Sequence, residues 1–412
     1  MGQPEHLEQD DAVIGRAFFA SLGVIVFLVV SGATVWYVVG SSETDVVIVD
    51  NDFELPKVRE SASVDFPALK FTEVSEEWGI DFVHVNGATG SKLLPETMGS
   101  GVAALDYDSD GDVDLLFVNS QPWNASESER EAATLKLFRN DGEHFHDVTK
   151  EVGLDVSLYG MGVAIGDIEN DGDLDIYISA VGANRLFIQR EGKFFDTTDE
   201  SGVAGGGEWS TSCGFLDYDR DGLLDLFVCN YVDWSAENDA AQDFRLDGVG
   251  RAYGPPKAFG GTFPVLFHNE GNGRFRDVSA EAGVQEKNAA TEVPVGKSLG
   301  VATVDIDRDG WMDILVANDT VRNFLFHNQK DGTFREVGIE VGLAFDSGGR
   351  ARGGMGIAVD YIRDNGQLAV GIGNFSNESS ALYIKQASQM LFLDEAMSSG
   401  FGPPTRLELT FG

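Results

Sequence analysis

Cysteine, proline and basic side chains are all scarce in this 412-residue sequence, with 2 Cys, 11 Pro and 29 Lys plus Arg. Two cysteines cannot build a disulfide framework, nor a structural zinc site, which needs four nitrogen or sulfur ligands. Scarce proline beside 42% hydrophobic and 10% aromatic residues excludes a disordered acidic tail. The 29 bases face 68 acids, a formal net charge of −39. Nucleic-acid recognition draws its affinity from Lys and Arg neutralising phosphates, so the chain is not a general binder of DNA or RNA. Gly-x-Ser-x-Gly, His-Glu-x-x-His and phosphate loops are absent as well, so no catalytic motif marks an enzyme. Glycine is in excess, and its 50 residues point to many tight turns.

One long uncharged run is present. From Ala17 to Val39 it would span roughly 34 Å as a helix, enough for a ~30 Å hydrocarbon core. Trp36 and Tyr37 suit an interfacial belt, and the acidic leader (Glu5, Glu8, Asp10, Asp11) is unlike the basic start of a cleaved signal peptide. These features predict a cytoplasmic leader over 1–16, a transmembrane anchor over 17–39 and a polar stalk over 40–68. Residues 69–412 would then be displayed on the extracytoplasmic side of a single-pass membrane protein.

The rest of the chain repeats itself. Six phrases share Phe, an acid two residues on and Gly at the ninth place: FTEVSEEWG, FHDVTKEVG, FFDTTDESG, FRDVSAEAG, FREVGIEVG and FLDEAMSSG, starting at Phe71, Phe145, Phe194, Phe275, Phe334 and Phe392. Between them sit apolar runs flanking acidic turns, such as GVAALDYDSDGDVDLLFVN and GVATVDIDRDGWMDILVAN, each followed by a strand phrase such as LFRNDG or LFHNEG. The grammar is four short strands per unit, and such a unit repeated radially is a propeller blade. The fold expected is an all-β multi-bladed propeller of about five blades with the start of a sixth, preceded by the transmembrane helix.

The acidic turn reads D-x-D-x-D-G-x-x-D. It places acids at Asp106, Asp108, Asp110 and Asp114; at Asp167, Glu169, Asp171 and Asp175; at Asp217, Asp219, Asp221 and Asp225; and at Asp305, Asp307, Asp309 and Asp313. Four carboxylates within nine residues repel one another unless a hard divalent cation joins them, and calcium takes six to eight oxygens. Positions 1, 3, 5 and 9 supply carboxylates. Position 7 (Asp112, Asp173, Leu223, Trp311) varies freely, as expected if only its backbone carbonyl is used. An EF-hand would need Glu at position 12, where Phe117, Ile178, Val228 and Val316 stand instead. About four structural Ca²⁺ sites are expected. A degenerate fifth copy, Asp360, Ile362, Asp364 and Gly366, has lost the acids at positions 3 and 9 and is expected to be metal-free.

These loops resemble FG-GAP/VCBS repeats. Together with LKFTEVSEEWGIDFVHVNG, LPETMGSGVAALDYDSDGDVDLLFVN and GRAYGPP they resemble the ASPIC/UnbV (cartilage acidic protein-like) family over about residues 69–412. The resemblance implies a calcium-loaded propeller outside the cytoplasm, continuing in relatives into a C-terminal UnbV domain that is not seen up to PPTRLELTFG.

Other residues read less distinctly. If Asp217 pairs with Asp225, then Cys213 faces Cys229, as small core residues or as a disulfide. His268 and His327 occupy one place in a repeated phrase and read as scaffold, while His144 and His146 read as solvent-facing. The insert Asp233–Pro264 departs from the repeat and is either a binding loop or solvated decoration. The function expected is a membrane-anchored binding or adhesion module for a protein or carbohydrate. The alternatives are a propeller-scaffold enzyme of polysaccharide lyase or phosphodiesterase type, which clustering of His84, Tyr253, Arg350 or Arg352 in a central channel would favour, and a truncated, non-functional family member.

Overall fold

The computed structural model describes residues 11–40, 70–362, 366–386 and 389–411. The chain divides into two compact units, Met1–Phe71 and Thr72–Gly412. In the first, helix α1 runs Asp11–Gly40. No helix among the described residues is long and apolar enough to cross a membrane. The segment 19–34 of α1 falls short of an apolar membrane span. Ser21, Gly23, Ser31, Gly32 and Thr34 also interrupt its apolar surface. The single-pass anchor expected over 17–39, and the extracytoplasmic display resting on it, therefore do not stand. Residues 1–10 of the expected leader, and the expected stalk after Gly40, lie outside the described residues.

The second unit is all-β, with five four-stranded antiparallel sheets in a propeller-like array. Sheet 1 holds β1 (Val102–Leu105), β2 (Asp114–Phe117), β3 (Lys136–Asn140) and β4 (Phe145–Asp147). Sheet 2 holds β5 (Gly160–Gly166), β6 (Asp175–Ala180), β7 (Arg185–Arg190) and β8 (Lys193–Asp196). Sheet 3 opens with β9 (Ser210–Leu216) and β10 (Asp225–Asn230). After a small hairpin of β11 (Arg245–Leu246) and β12 (Gly250–Arg251) within the insert, it finishes with β13 (Val265–Asn269) and β14 (Phe275–Asp277). Sheet 4 holds β15 (Ser298–Val304), β16 (Asp313–Asn318), β17 (Phe324–Asn328) and β18 (Phe334–Glu336). Sheet 5 holds β19 (Gly354–Tyr361), β20 (Leu368–Asn374), β21 (Ala381–Lys385) and β22 (Phe392–Asp394).

Each inner sheet packs on both faces. Strands β6, β10 and β16 are accordingly buried along their whole length, and DIYISA, DLFVCN and DILVAN read as nearly unbroken apolar runs. Four apolar cores join sheets 1 to 2, 2 to 3, 3 to 4 and 4 to 5. Among the described residues no such core joins sheet 5 to sheet 1.

The repeated nine-residue phrase has a mechanical reading. In five of the six copies its Phe is buried at or near the start of the outermost strand, at Phe145, Phe194, Phe275, Phe334 and Phe392, whereas Phe71 is exposed. Two residues on, the acid caps a short helical turn: Asp147 accepts from Thr149 N at 3.0 Å, and Asp277 from Ser279 N at 2.9 Å. The closing Gly is left-handed, with φ 86° at Gly153 and 82° at Gly342. A Cβ at Gly153 would lie 2.8 Å from Phe194 O of the next sheet, so a close approach adds to the conformational demand.

Hairpin register departs from the sequence expectation by one residue. Position 9 pairs with the residue before position 1: Leu105 with Asp114, Leu216 with Asp225 and Val304 with Asp313. Cys213 therefore faces Val228, not Cys229. A slip of one residue sends the side chain to the other face. Cys213 packs in the core between sheets 2 and 3, Cys229 packs in the core between sheets 3 and 4, and both thiols are free.

Candidate cation-binding loops

In each of the first four hairpins the strands part after the position 9 pair, leaving positions 1–8 to form the turn. Position 4 is left-handed although it is never Gly, with φ 60° at Ser109, 54° at Asn170, 63° at Arg220 and 65° at Arg308. Gly at position 6 follows with φ between 89° and 96°. These two reversals aim consecutive N–H groups at the position 1 carboxylate. Asp309 N donates to Asp305 Oδ1 at 2.9 Å, and Gly310 N to Asp305 Oδ2 at 2.8 Å. Asp106, Asp167 and Asp217 accept the same pair. The position 5 acids Asp110, Asp171, Asp221 and Asp309 each accept from the N–H of position 7, which fixes the backbone of Asp112, Asp173, Leu223 and Trp311.

Position 9 is the buried anchor. Asp114, Asp175, Asp225 and Asp313 are at most 1% exposed, yet each still accepts two backbone N–H bonds. One comes from position 2 of its own loop and the other from the end of the third strand, as Ile306 N and Asn328 N to Asp313 at 3.0 and 2.8 Å. Burial pushes these carboxyls upward, Asp175 to about 7. It raises Asp114, Asp225 and Asp313 too, against the lowering effect of those bonds.

Ligand oxygens of Asp106, Asp108 and Asp114 lie within 4.8 Å of one another, as do those of Asp217, Asp219 and Asp225, and of Asp305, Asp307 and Asp313. Positions 1, 3 and 9 thus converge in three of the four loops. The second loop forms no such group, because Glu169 reaches towards Arg190 at 3.6 Å. Side chains at position 7 do not join any cluster. Trp311 instead lies under Arg220, 5.4 Å from its ring centroid. Position 5 of loop four holds Lys330 at 2.8 Å; burial raises the Asp309 carboxyl, but that bond, the Trp311 N–H and the neighbouring Lys330 and His327 charges together keep it below its usual range. In the degenerate fifth copy, β19 and β20 zip onward to pair Tyr361 with Leu368, so the wide turn is lost. Its Asp364 lies outside the described residues.

Two histidines missed as site residues stand beside the loops. His268 Nδ1 is 3.1 Å from Asp225 Oδ1, and His327 Nε2 is 3.1 Å from Asp307 Oδ2. Each joins two acids, as Asp219, Asp221 and His268 and as Asp307, Asp309 and His327. Their shared place in LFHN was the available signal, and it was read as scaffold. The donor set is carboxylate oxygens held by a fixed backbone, with a desolvated acid at the base. Such a set fits a hard divalent cation, whose charge would offset the burial of position 9.

The four residues that would have favoured an enzyme do not come together: Arg350 and Arg352 share a cavity of about 560 Å³ with Asp346, Asp394 and Arg406, and His84 and Tyr253 lie outside it. His84 bonds Ser100 at 2.9 Å, Tyr253 bonds Glu96 at 3.2 Å, Arg350 pairs with Asp346 and Arg352 with Asp394, both at 2.9 Å or less. The cavity of about 430 Å³ among the first strands, lined by Ser100, Met161, Thr211, Cys213, Leu299 and Met355, includes none of the four. His144 and His146 are exposed as expected. The insert is tied down: Arg251 donates to Ser91 O at 2.7 Å and pairs with buried Asp239.

The FG-GAP-like repeat family matches residues 106–178 and 305–368, which include the first, second and fourth loops. Mouse cartilage acidic protein 1 is 25% identical over 288 residues, covering 55% of this chain and 42% of that protein. The human protein is 24% identical over 288 residues, covering 55% and 41%. The match thus spans less than half the length of these relatives. An Agrocybe aegerita lectin that recognises terminal N-acetylglucosamine covers 73% of this chain and 68% of its own at 14% identity, with a TM-score of 0.37, too slight a likeness to weigh. Three of the four acidic hairpins thus lie in segments that match FG-GAP-like repeats, and the chain carrying them is similar to cartilage acidic protein 1 of the ASPIC/UnbV family.

Proposed function

We propose that the chain is a calcium-binding propeller that acts as a binding module for a protein or carbohydrate, with its cations in a structural role. The observation that carries this reading is the convergence of positions 1, 3 and 9 within 4.8 Å in three separate loops. Calcium suits these loops because every donor at those positions is an oxygen and the backbone of position 7 is fixed for a carbonyl to join them. The second loop, with Glu169 turned aside, would fill last. On the ligand side, Trp123 stacks on Tyr159 at 4.3 Å and lies 5.3 Å from Trp234 of the insert. Both indoles are half-buried, with their N–H groups held by Glu96 and Asp239, and their remaining ring faces are flat surfaces suited to ligand contact.

The test is native mass spectrometry and thermal melting of the full chain in calcium and in EDTA. Bound ions and a melting temperature many degrees lower in EDTA are expected. Absence of ions at millimolar calcium together with an unchanged melt would overturn the cation reading. Binding to immobilised polysaccharides and extracellular-matrix proteins, weakened by Trp123→Ala and Trp234→Ala, tests the module itself.

A further inference from the structure

The four position 9 carboxylates lie on one unbroken line of hydrogen bonds that passes from sheet to sheet. Asp114 Oδ2 accepts from Tyr107 N at 3.0 Å, and Tyr107 O accepts from Gln189 Nε2 of the next sheet at 2.9 Å. Gln189 N then donates to Asp175 Oδ1 at 2.9 Å, and Asp175 Oδ2 accepts from Ile168 N at 3.0 Å. Ile168 O accepts from Asn269 Nδ2 at 3.0 Å, and Asn269 N donates to Asp225 Oδ1 at 2.9 Å. Asp225 Oδ2 accepts from Tyr218 N at 3.1 Å, and Tyr218 O from Asn328 Nδ2 at 2.8 Å. Asn328 N donates to Asp313 Oδ1 at 2.8 Å, Asp313 Oδ2 accepts from Ile306 N at 3.0 Å, and Ile306 O closes the line on Lys385 Nζ at 2.7 Å.

In sheets 2, 3 and 4 one residue at the end of the third strand thus touches two loops at once. Its side chain holds the position 2 carbonyl of the preceding sheet's loop, and its backbone holds the position 9 carboxylate of its own. Gln189, Asn269 and Asn328 are at most 3% exposed, so these bonds are made away from water and leaving one unmade is costly. Position 4 adds surface clasps between neighbouring loops: Asn170 Nδ2 donates to Gly222 O at 2.8 Å, and Arg308 Nη2 to Gly366 O at 3.1 Å.

We infer that Gln189, Asn269, Asn328 and Lys385 are positioning residues for the cation loop of the preceding sheet, and that occupation of neighbouring loops is coupled through them. This rests on the cation reading of the loops. A cation drawn onto Asp217, Asp219 and Asp225 fixes Tyr218, whose carbonyl fixes Asn328, whose N–H fixes Asp313. The ordering needed at loop four has then partly been met by loop three. Coupling of this kind is reciprocal, with the same factor in either direction. Lys385 marks the end of the line: sheet 5 has Leu368 at position 9, and an ammonium stands where the other sheets use an amide.

Loop four carries its own reporter in Trp311, so terbium ion bound there gains emission under tryptophan-selective excitation. In the full chain, Asp217→Asn with Asp219→Asn disables loop three. Coupling predicts that terbium affinity at loop four then falls by about fivefold or more. In an Asn328→Ala background the same double change should shift it less than about twofold, and Asn328→Gln, which keeps a donor as Gln189 does, should restore the larger shift. Terbium emission from Trp311 with an affinity indifferent to loop three would overturn the coupling and leave the cation reading standing. No tryptophan-sensitised emission at millimolar terbium would overturn both.

Discussion

Glu169 Oε2 lies 3.6 Å from Arg190 Nη2, so the one Glu among the acids of the four loops is engaged outside its own turn. Arg190 is 59% exposed, and an ion pair of this kind contributes little to stability. Its effect is on geometry, since the longer side chain is held where it does not converge with Asp167 and Asp175. Glu169→Asp should therefore bring the second loop to the arrangement of the other three. The expected outcome is one further tightly held calcium in native mass spectrometry, with little change in the melt in EDTA.

Positions 9 and 3 should separate structural from ligand roles. Both oxygens of Asp313 accept buried backbone N–H groups, and an Asn amide can satisfy only one of them. Asp313→Asn is expected to cost about 1–3 kcal/mol in urea unfolding even in EDTA. Asp307, with its side chain 28% exposed, should cost under about 0.5 kcal/mol in EDTA when changed to Asn. Its effect should appear instead as weaker calcium binding by calorimetry.

Stabilisation by calcium should depend on pH. Burial raises the folded-state affinity of Asp175 for its proton to about 7, above the value of a free carboxyl, and raises Asp114, Asp225 and Asp313 as well. Between roughly pH 4 and pH 7 the unfolded chain has released protons that the cation-free fold retains, so that fold loses stability as pH rises through this window. Calcium binds the ionised form and removes the penalty. The rise in melting temperature on adding calcium should therefore be small near about pH 5 and reach a plateau above about pH 7. A calcium effect of equal size at both ends would refute this account.

Gly310 has φ 89°, and a Cβ there would meet nothing closer than Arg220 Nη1 at 3.6 Å. Its substitution by Ala should therefore cost about 1–2 kcal/mol from backbone conformation alone, with Asn recovering part of the loss. Chemical denaturation of the two variants checks the ranking.

The acids and glycines of the loops were legible in the sequence because each repeats with fixed spacing and each has a reason to be that residue type. Strand grammar was legible too, through the Phe and Gly of the outer phrase. The register was not: pairing the two outer acids of the turn looks symmetrical, but position 1 is needed to receive the N–H groups of Asp309 and Gly310 and so leaves the ladder. The same slip misplaced Cys213. Asn269 and Asn328 were visible as a repeated letter, yet their partners Ile168 and Tyr218 are 101 and 110 residues away, a distance that no local pattern encodes. At 17–39 lack of charge does not amount to an apolar span, since Ser21, Gly23, Ser31, Gly32 and Thr34 dilute the run.

Among the described residues, four cores join the five sheets in series, so the two outermost sheets are each gripped from one side while the three between them are clamped from both. In a stack whose stability sums over neighbours, peeling away an end unit breaks one interface and removing a middle unit breaks two. Amide hydrogens of β1–β4 and β19–β22 should accordingly exchange before those of β9 and β10, with fraying that works inward from the extremities. Asp114 is carried by one of those extremities, so its loop would be the first to surrender an ion as the molecule loosens.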